Sequence, residues 1–184
     1  MIGGSSLSYM LKTKFNILIA FGTVGLATAL LIFGAAVNGF INYAHAQQQQ
    51  QQFTAKLSGK NEVPPVTTPA TGIATFTVSP DGTSLNYVLS VSDIIGVMGV
   101  HLHAGPSTQN GPAIAGLFNP SMAGHPTGKV HGYLSKGIIR ASNLTGPLAG
   151  KELSDLILLI KTGNTYVNVH TTQNHGGEIR GQLS

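Results

Sequence analysis

Between Ile73 and Val91 the chain runs through two stretches of alternating apolar and polar residues, with Pro80-Asp81-Gly82 between them. Alternation with period two is the signature of a strand buried on one face. Pro presets φ, and Gly accepts the positive φ that tight turns need, so the whole stretch predicts a β-hairpin. Ala74, Phe76 and Val78 share one face of the first strand, with Ile73, Thr75 and Thr77 on the other. Leu85, Tyr87, Leu89 and Val91 share one face of the second. The same grammar recurs along the chain. Strands are predicted over Phe53–Leu57, Val97–His103, Ala113–Phe118, Val130–Ile139 (one strand or two), Tyr166–His170 and Glu178–Leu183. Only 9% of residues are charged and 24 are Gly, which suits a Gly-punctuated β protein and not a helical one. Roughly seven to nine short strands with turns between them predict an all-β fold, an antiparallel Greek-key β-sandwich or barrel. Leu153–Ile160, which contains SDLILLI, is either one short helix with Ser154 as its cap or a buried strand.

The N-terminus follows a different pattern. Lys12 and Lys14 precede an apolar run from Phe15 to Val37, which leads to Ala44-His45-Ala46. A basic region, an apolar region and a small-residue cleavage site compose a secretory signal. The run is also long enough for an uncleaved hydrophobic helix that anchors the chain in a membrane. Residues 1–46 are therefore a signal peptide or an anchor. In both cases the basic flank stays in the cytoplasm and the rest lies outside it. Residues 47–52, all Gln, read as a linker with no apolar face to bury. Residues 53–184 form the folded domain, long enough for a single core.

The formal charge is +4, but without Lys12 and Lys14 the balance is eight basic against six acidic residues (10 − 2 against 6). No basic cluster points to nucleic acid. With no Cys, thiolate metal sites and disulfides are excluded, and His, Asp and Glu must carry any metal chemistry. No G-x-S-x-G elbow, phosphate loop or His-Glu-x-x-His occurs. What remains is GVHLHAG, from Gly99 to Gly105. His101 and His103 sit two apart, so they share a strand face, with Gly99, opposite Met98, Val100 and Leu102. His170 lies opposite Val167 and Val169 on its own strand. If all these apolar residues face the core, the imidazoles face away from it. Should the strands be neighbours, three imidazoles converge. Imidazole suits copper and zinc. The alternatives are structural hydrogen bonding and an acid–base role.

Three segments carry a resemblance to a known family: LSGKNEVPPVTTPATGIATF (57–76), VHLHAGPSTQNGPAI (100–114) and TYVNVHTTQNHGGEIRGQL (165–183). The chain resembles the CHRD domain, named for its repeats in the extracellular protein chordin and found in secreted microbial proteins. The resemblance implies an extracytoplasmic β domain and no established reaction. Asn174-His175 departs from the Asn-Pro common in the family. The histidine order also looks like the copper-site layout of copper–zinc superoxide dismutases. In that layout His101 and His103 match the first pair, His170 the last ligand, and His125 or His131 the zinc loop. The zinc-site aspartate and the disulfide have no counterpart, so the likeness is one of site and fold alone. The metal-ligand candidates are thus His101, His103 and His170, with His125 and His131 weaker, and copper or zinc as the ion. Glu62, Asn168, Glu178 and Arg180 form a second polar set that frames a ligand or ties the first loop to the last strand. An ion pair between Glu62 and Arg180 is expected, and one from Glu178 to Arg180 or Lys60. The reading is an extracytoplasmic module with a non-enzymatic binding or cell-envelope structural role, its partner an extracellular protein or a cell-envelope component; the alternative is a copper or zinc protein with dismutase-like redox activity.

Overall fold

The structure is a computed structural model that describes residues 50–119, 121 and 128–184. The segment read as a signal peptide or anchor, and His125, lie outside the described residues. No helix among the described residues is long and apolar enough to cross a membrane.

Eight strands form one sheet: β1 (Gln52–Ser58), β2 (Thr71–Val78), β3 (Leu85–Ile95), β4 (Val97–Ala104), β5 (Ala113–Phe118), β6 (Lys129–Ile139), β7 (Thr165–Thr171) and β8 (Ile179–Gln182). Their order is β5-β4-β7-β8-β1-β2-β3-β6, and every ladder is antiparallel. The predicted hairpin is β2–β3, with Ala74, Phe76, Val78, Leu85, Tyr87, Leu89 and Val91 all in the core. The Gln tract is not wholly a linker: β1 opens at Gln52, and the Val78 amide donates to the Gln51 carbonyl at 2.9 Å.

The sheet curls into a nearly closed barrel. The end strands β5 and β6 meet without a ladder, and side chains bridge the gap. Tyr87 Oη and Ser135 Oγ both donate to the Leu117 carbonyl, at 2.6 and 2.7 Å. With that seam counted, β7 returns beside β4 of the β4-β5-β6 run, which is Greek-key order. Either donor alone still satisfies the buried carbonyl, so Tyr87→Phe and Ser135→Ala should each cost about 1 kcal/mol. The double variant leaves the acceptor unpaired and should lose about 1 kcal/mol more than the sum. Urea unfolding of the four proteins checks this, and strict additivity would mean that the seam does not depend on the shared carbonyl.

Two sequence expectations need correction. Met98 was expected in the core beside Val100 and Leu102, yet it is 43% exposed while Val97 is 6% exposed. The cause is a register irregularity between Val97 and Gly99 on the β7 side, which shifts the alternation by one residue. Leu153–Ile160 is helical, within α1 (Leu153–Lys161). Leu153, Leu156 and Ile160 repeat at helical spacing and are buried, whereas Leu158 is 59% exposed. Its cap is Glu152, not Ser154: the Glu152 amide donates to Asp155 Oδ2 at 3.1 Å in a capping box.

A strand in a small barrel buries one face. In β7 every residue except His170 is buried, so its outer face is covered too. The cover is the loop of residues 59–70 and the loop of residues 105–112. Asn61 Nδ2 donates to the Arg180 carbonyl at 3.0 Å, and Asn110 Nδ2 joins the two loops by donating to the Val63 carbonyl at 2.6 Å. Beneath them lies the polar site.

Candidate metal centre

The outer face of β4-β7-β8 is set by register. His101 pairs with Asn168, which pairs with Arg180; His103 pairs with Tyr166, which pairs with Gln182; Gly99 pairs with His170. Alternation therefore places three imidazoles on one face, and the β4–β7 ladder makes them neighbours. Ring centroids are separated by 5.9 Å (His101–His103), 5.1 Å (His101–His170) and 5.7 Å (His103–His170). One nitrogen from each lies within 4.8 Å of the others.

Two of the rings are held in one tautomer. His103 Nδ1 lies 2.9 Å from the Gly111 carbonyl, and His170 Nδ1 lies 3.0 Å from the His175 carbonyl. A carbonyl only accepts, so both Nδ1 atoms carry the proton and both Nε2 atoms present a lone pair. Both Nε2 atoms are buried and have no hydrogen-bond partner among the described residues. Metal-binding histidines are commonly oriented in this way by a carbonyl on the far nitrogen. Burial pushes the His103 pKa down to about 4, against a partial upward pull from the Gly111 carbonyl. Burial also lowers His101, helped by the His170 charge. His170 is lowered by burial too, offset in part by the His175 carbonyl. All three rings are therefore neutral at pH 7, the form that ligates metal.

His103 has a third support. Tyr166 stacks on it, with centroids 5.0 Å apart and planes 11° from parallel, and the Arg180 guanidinium lies over the Tyr166 ring, 3.4 Å from its centroid. Arg180 is 1% exposed. Its Nη1 donates to Asn110 Oδ1 at 3.0 Å, and its Nη2 to the carbonyls of Pro106 and Gln109 at 2.7 and 2.9 Å. The Gly111 amide donates to Tyr166 Oη at 2.9 Å. The 105–112 loop that supplies the Gly111 carbonyl to His103 is thus held down by Arg180 and Tyr166.

The predicted ion pairs of the second polar set do not form. Among the described residues the one ion pair is Lys129–Asp93, at 2.8 Å on the surface. Glu62 accepts from Asn168 Nδ2 at 3.4 Å instead, because the Arg180 guanidinium is taken up by loop carbonyls and the Tyr166 ring. Glu178 is occupied by Thr68, Thr171 and Asn174, at 2.7, 2.6 and 3.3 Å, and fastens the 59–70 loop to β7. Glu62 is 5% exposed, and its Oε1 is buried without a partner. Burial raises its pKa from 4.5 to about 7, against the lowering effects of Arg180 and Asn168.

Of the weaker ligand candidates, His131 is exposed on β6, where it faces Asp93, and it does not join the triad. His175 contributes its backbone carbonyl and not its ring. The sequence reading missed Gly111, Tyr166 and Asn110. GPSTQNG, with its paired turn residues beside the His-x-His, was the signal available for the loop.

The family model for the CHRD domain matches residues 53–183. The chain belongs to the CHRD family. No curated protein and no solved structure matches it. The match spans every part of the site. In this CHRD domain the first motif supplies Glu62, the second His101, His103 and the Gly111 carbonyl, and the third His170, Asn168, Tyr166 and Arg180. The three motifs stand far apart in the chain and meet on the outer face of β4-β7-β8.

Proposed function

We propose that this CHRD domain is an extracytoplasmic binding module whose ligand is a transition-metal ion, copper or zinc, held by His101, His103 and His170. One observation carries the reading: two buried imidazole Nε2 atoms, each fixed as a lone pair by a carbonyl on the opposite nitrogen, with no partner of their own among the described residues. A buried acceptor without a partner costs about 1–3 kcal/mol. Hydrogen bonding within the protein explains the Nδ1 atoms and leaves the Nε2 atoms unexplained. A metal ion would satisfy both at once, with His101 completing the set. The extracytoplasmic placement rests on the basic-apolar-small pattern of residues 1–46 and on the resemblance to secreted CHRD proteins.

Three neutral nitrogen donors suit copper or zinc and leave a coordination position for another ligand. Such an ion would supply redox cycling if copper, or polarisation of a bound ligand if zinc. The chain's own part is to keep the three rings neutral through burial, and to orient His103 and His170 through the Gly111 and His175 carbonyls.

The test is metal content. The full-length protein, expressed without a polyhistidine tag, is exposed to copper or zinc at pH 7, desalted, and measured by mass spectrometry beside a His101→Ala, His170→Ala variant. Near-stoichiometric metal in the wild type, lost in a variant with unchanged circular dichroism, is the expected result. No retained metal in either protein sinks the reading and leaves the imidazoles as groups for a protein partner.

A further inference from the structure

Gly116 is a glycine that the backbone does not require. It lies in β5 directly opposite His101. Its φ is not in the left-handed region, and a Cβ built on it meets nothing within 4 Å among the described residues. A glycine inside a strand gives up stability relative to Ala, and one often marks a bulge, such as the register irregularity that borders Gly116, or a place where something approaches closely. No part of the described chain makes that approach. What borders Gly116 is a hollow of about 360 Å³ walled by His101, Gly99, Met98, Leu117 and Asn119 among others. Gly99 is the second missing side chain. It pairs with His170, and a Cβ there would sit 3.4 Å from His101 Cε1 and 3.8 Å from His101 Nε2. The hollow thus reaches the nitrogen end of the His101 ring, on the side that faces His170. Among the described residues no Asp, Glu, Lys or Arg lines it.

We propose that Gly116 keeps open the route by which a small exogenous ligand reaches the metal ion at His101. This rests on the metal reading above. The class of ligand follows from the walls. With no charged side chain to recognise a charged or extended molecule, the hollow admits a neutral or singly charged ligand of a few heavy atoms, whose donor oxygen or nitrogen is held by the ion. A Cβ at position 116 meets nothing within 4 Å among the described residues, and the rest of a larger side chain would fill the entrance beside His101.

The test uses azide on the copper-loaded full-length protein, followed by the electron paramagnetic resonance signal of Cu(II) and by the azide-to-copper charge-transfer absorption. The wild type is expected to bind azide saturably. Gly116→Leu and Gly116→Val are expected to hold the same one copper per chain with the same azide-free signal, and to bind azide at least 10-fold more weakly. Azide binding by the loaded variants at the wild-type affinity would overturn the proposal, as would a loaded wild type whose signal azide does not change. If both variants fail to load copper while the wild type loads, Gly116 serves the ligand set and not access, and the proposal also falls. A wild type that binds no copper at all is a different result: it removes the metal reading, and the access route with it.

Discussion

Replacing Arg180 by Met is expected to destabilise the domain by about 3–5 kcal/mol, because it removes several hydrogen bonds from a buried charged donor, each worth about 1.5–3 kcal/mol. The side chain is 1% exposed, and it holds two sets of partners at once: the carbonyls and amide oxygen of the 105–112 loop, and the face of Tyr166. Met fills much of the volume and none of the hydrogen bonds. Three acceptors then lose the guanidinium, of which the Pro106 carbonyl keeps the Gln109 amide as a donor, and Glu62 loses the one cationic group that offsets its burial. Against this, burial lowers the pKa of the guanidinium itself, so part of the gross attraction is already spent on desolvation. The lost hydrogen bonds and the lost contact with Tyr166 decide the sign, even though Pro106, Gln109 and Asn110 are exposed and water can take up part of their hydrogen bonding. Urea unfolding measures the loss. Amide hydrogen exchange locates it: Gly105 and Gly111, whose amides bond Asn164 and Tyr166, should lose protection first. The same variant should weaken metal retention about 10–100-fold, the usual cost of losing support behind a ligand, since the Gly111 carbonyl that orients His103 sits on the released loop. A variant within 1 kcal/mol of the wild type, with the loop still protected, would show that Arg180 does not organise the site.

How much of this was legible beforehand depends on the range of the interaction. Ala113–Phe118 is the observed β5, and Ala74, Phe76 and Val78 are buried as alternation requires, because a strand's inward face is written in adjacent residues. The common face of His101 and His103 is local in the same sense. Their meeting with His170 is not, since it needs β4 and β7 to pair across about sixty residues of intervening chain, and alternation only permits that pairing. Met98 shows the limit from the other side. A single register irregularity, decided by the β4–β7 ladder, reverses which of Val97 and Met98 is buried. The polar set failed for an energetic reason. Opposite charges at Glu62, Glu178 and Arg180 predict ion pairs by Coulomb attraction alone, but a buried guanidinium needs all its donors satisfied, and backbone carbonyls of a turn do that better than one carboxylate. Carbonyls carry no residue identity, so Gly111, Pro106, Gln109 and His175 leave no mark of their role in the sequence.

Glu62→Gln is expected to stabilise the metal-free protein at neutral and alkaline pH and to leave it nearly unchanged near pH 4.5. The carboxyl is 5% exposed, and its pKa is raised from 4.5 to about 7 because burial outweighs the attraction of Arg180 and the Asn168 amide. The folded protein therefore binds this proton more tightly than the unfolded chain does. Below pH 4.5 both states hold the proton and nothing is lost. As pH rises from 4.5 to about 7, the unfolded chain releases its proton while the folded one keeps it, so stability falls; above pH 7 the loss is complete. A tenfold change in acidity is worth about 1.4 kcal/mol, which makes the full loss roughly 3 kcal/mol. Gln has the same shape and no charge to bury, so the variant escapes it. The histidines act in the opposite sense. His103, with its pKa lowered to about 4, costs stability as pH falls below 6.5, and His101 and His170 follow in the same direction. The wild-type profile is the sum of these two slopes, and only the difference between the two proteins isolates Glu62. Urea unfolding of both from pH 4.5 to 8.5, with chelator present, reads that difference directly. It should open steadily between pH 5 and 7 in favour of Gln. Parallel profiles would mean that Glu62 is ionised in the folded protein throughout, with Arg180 compensating its burial in full.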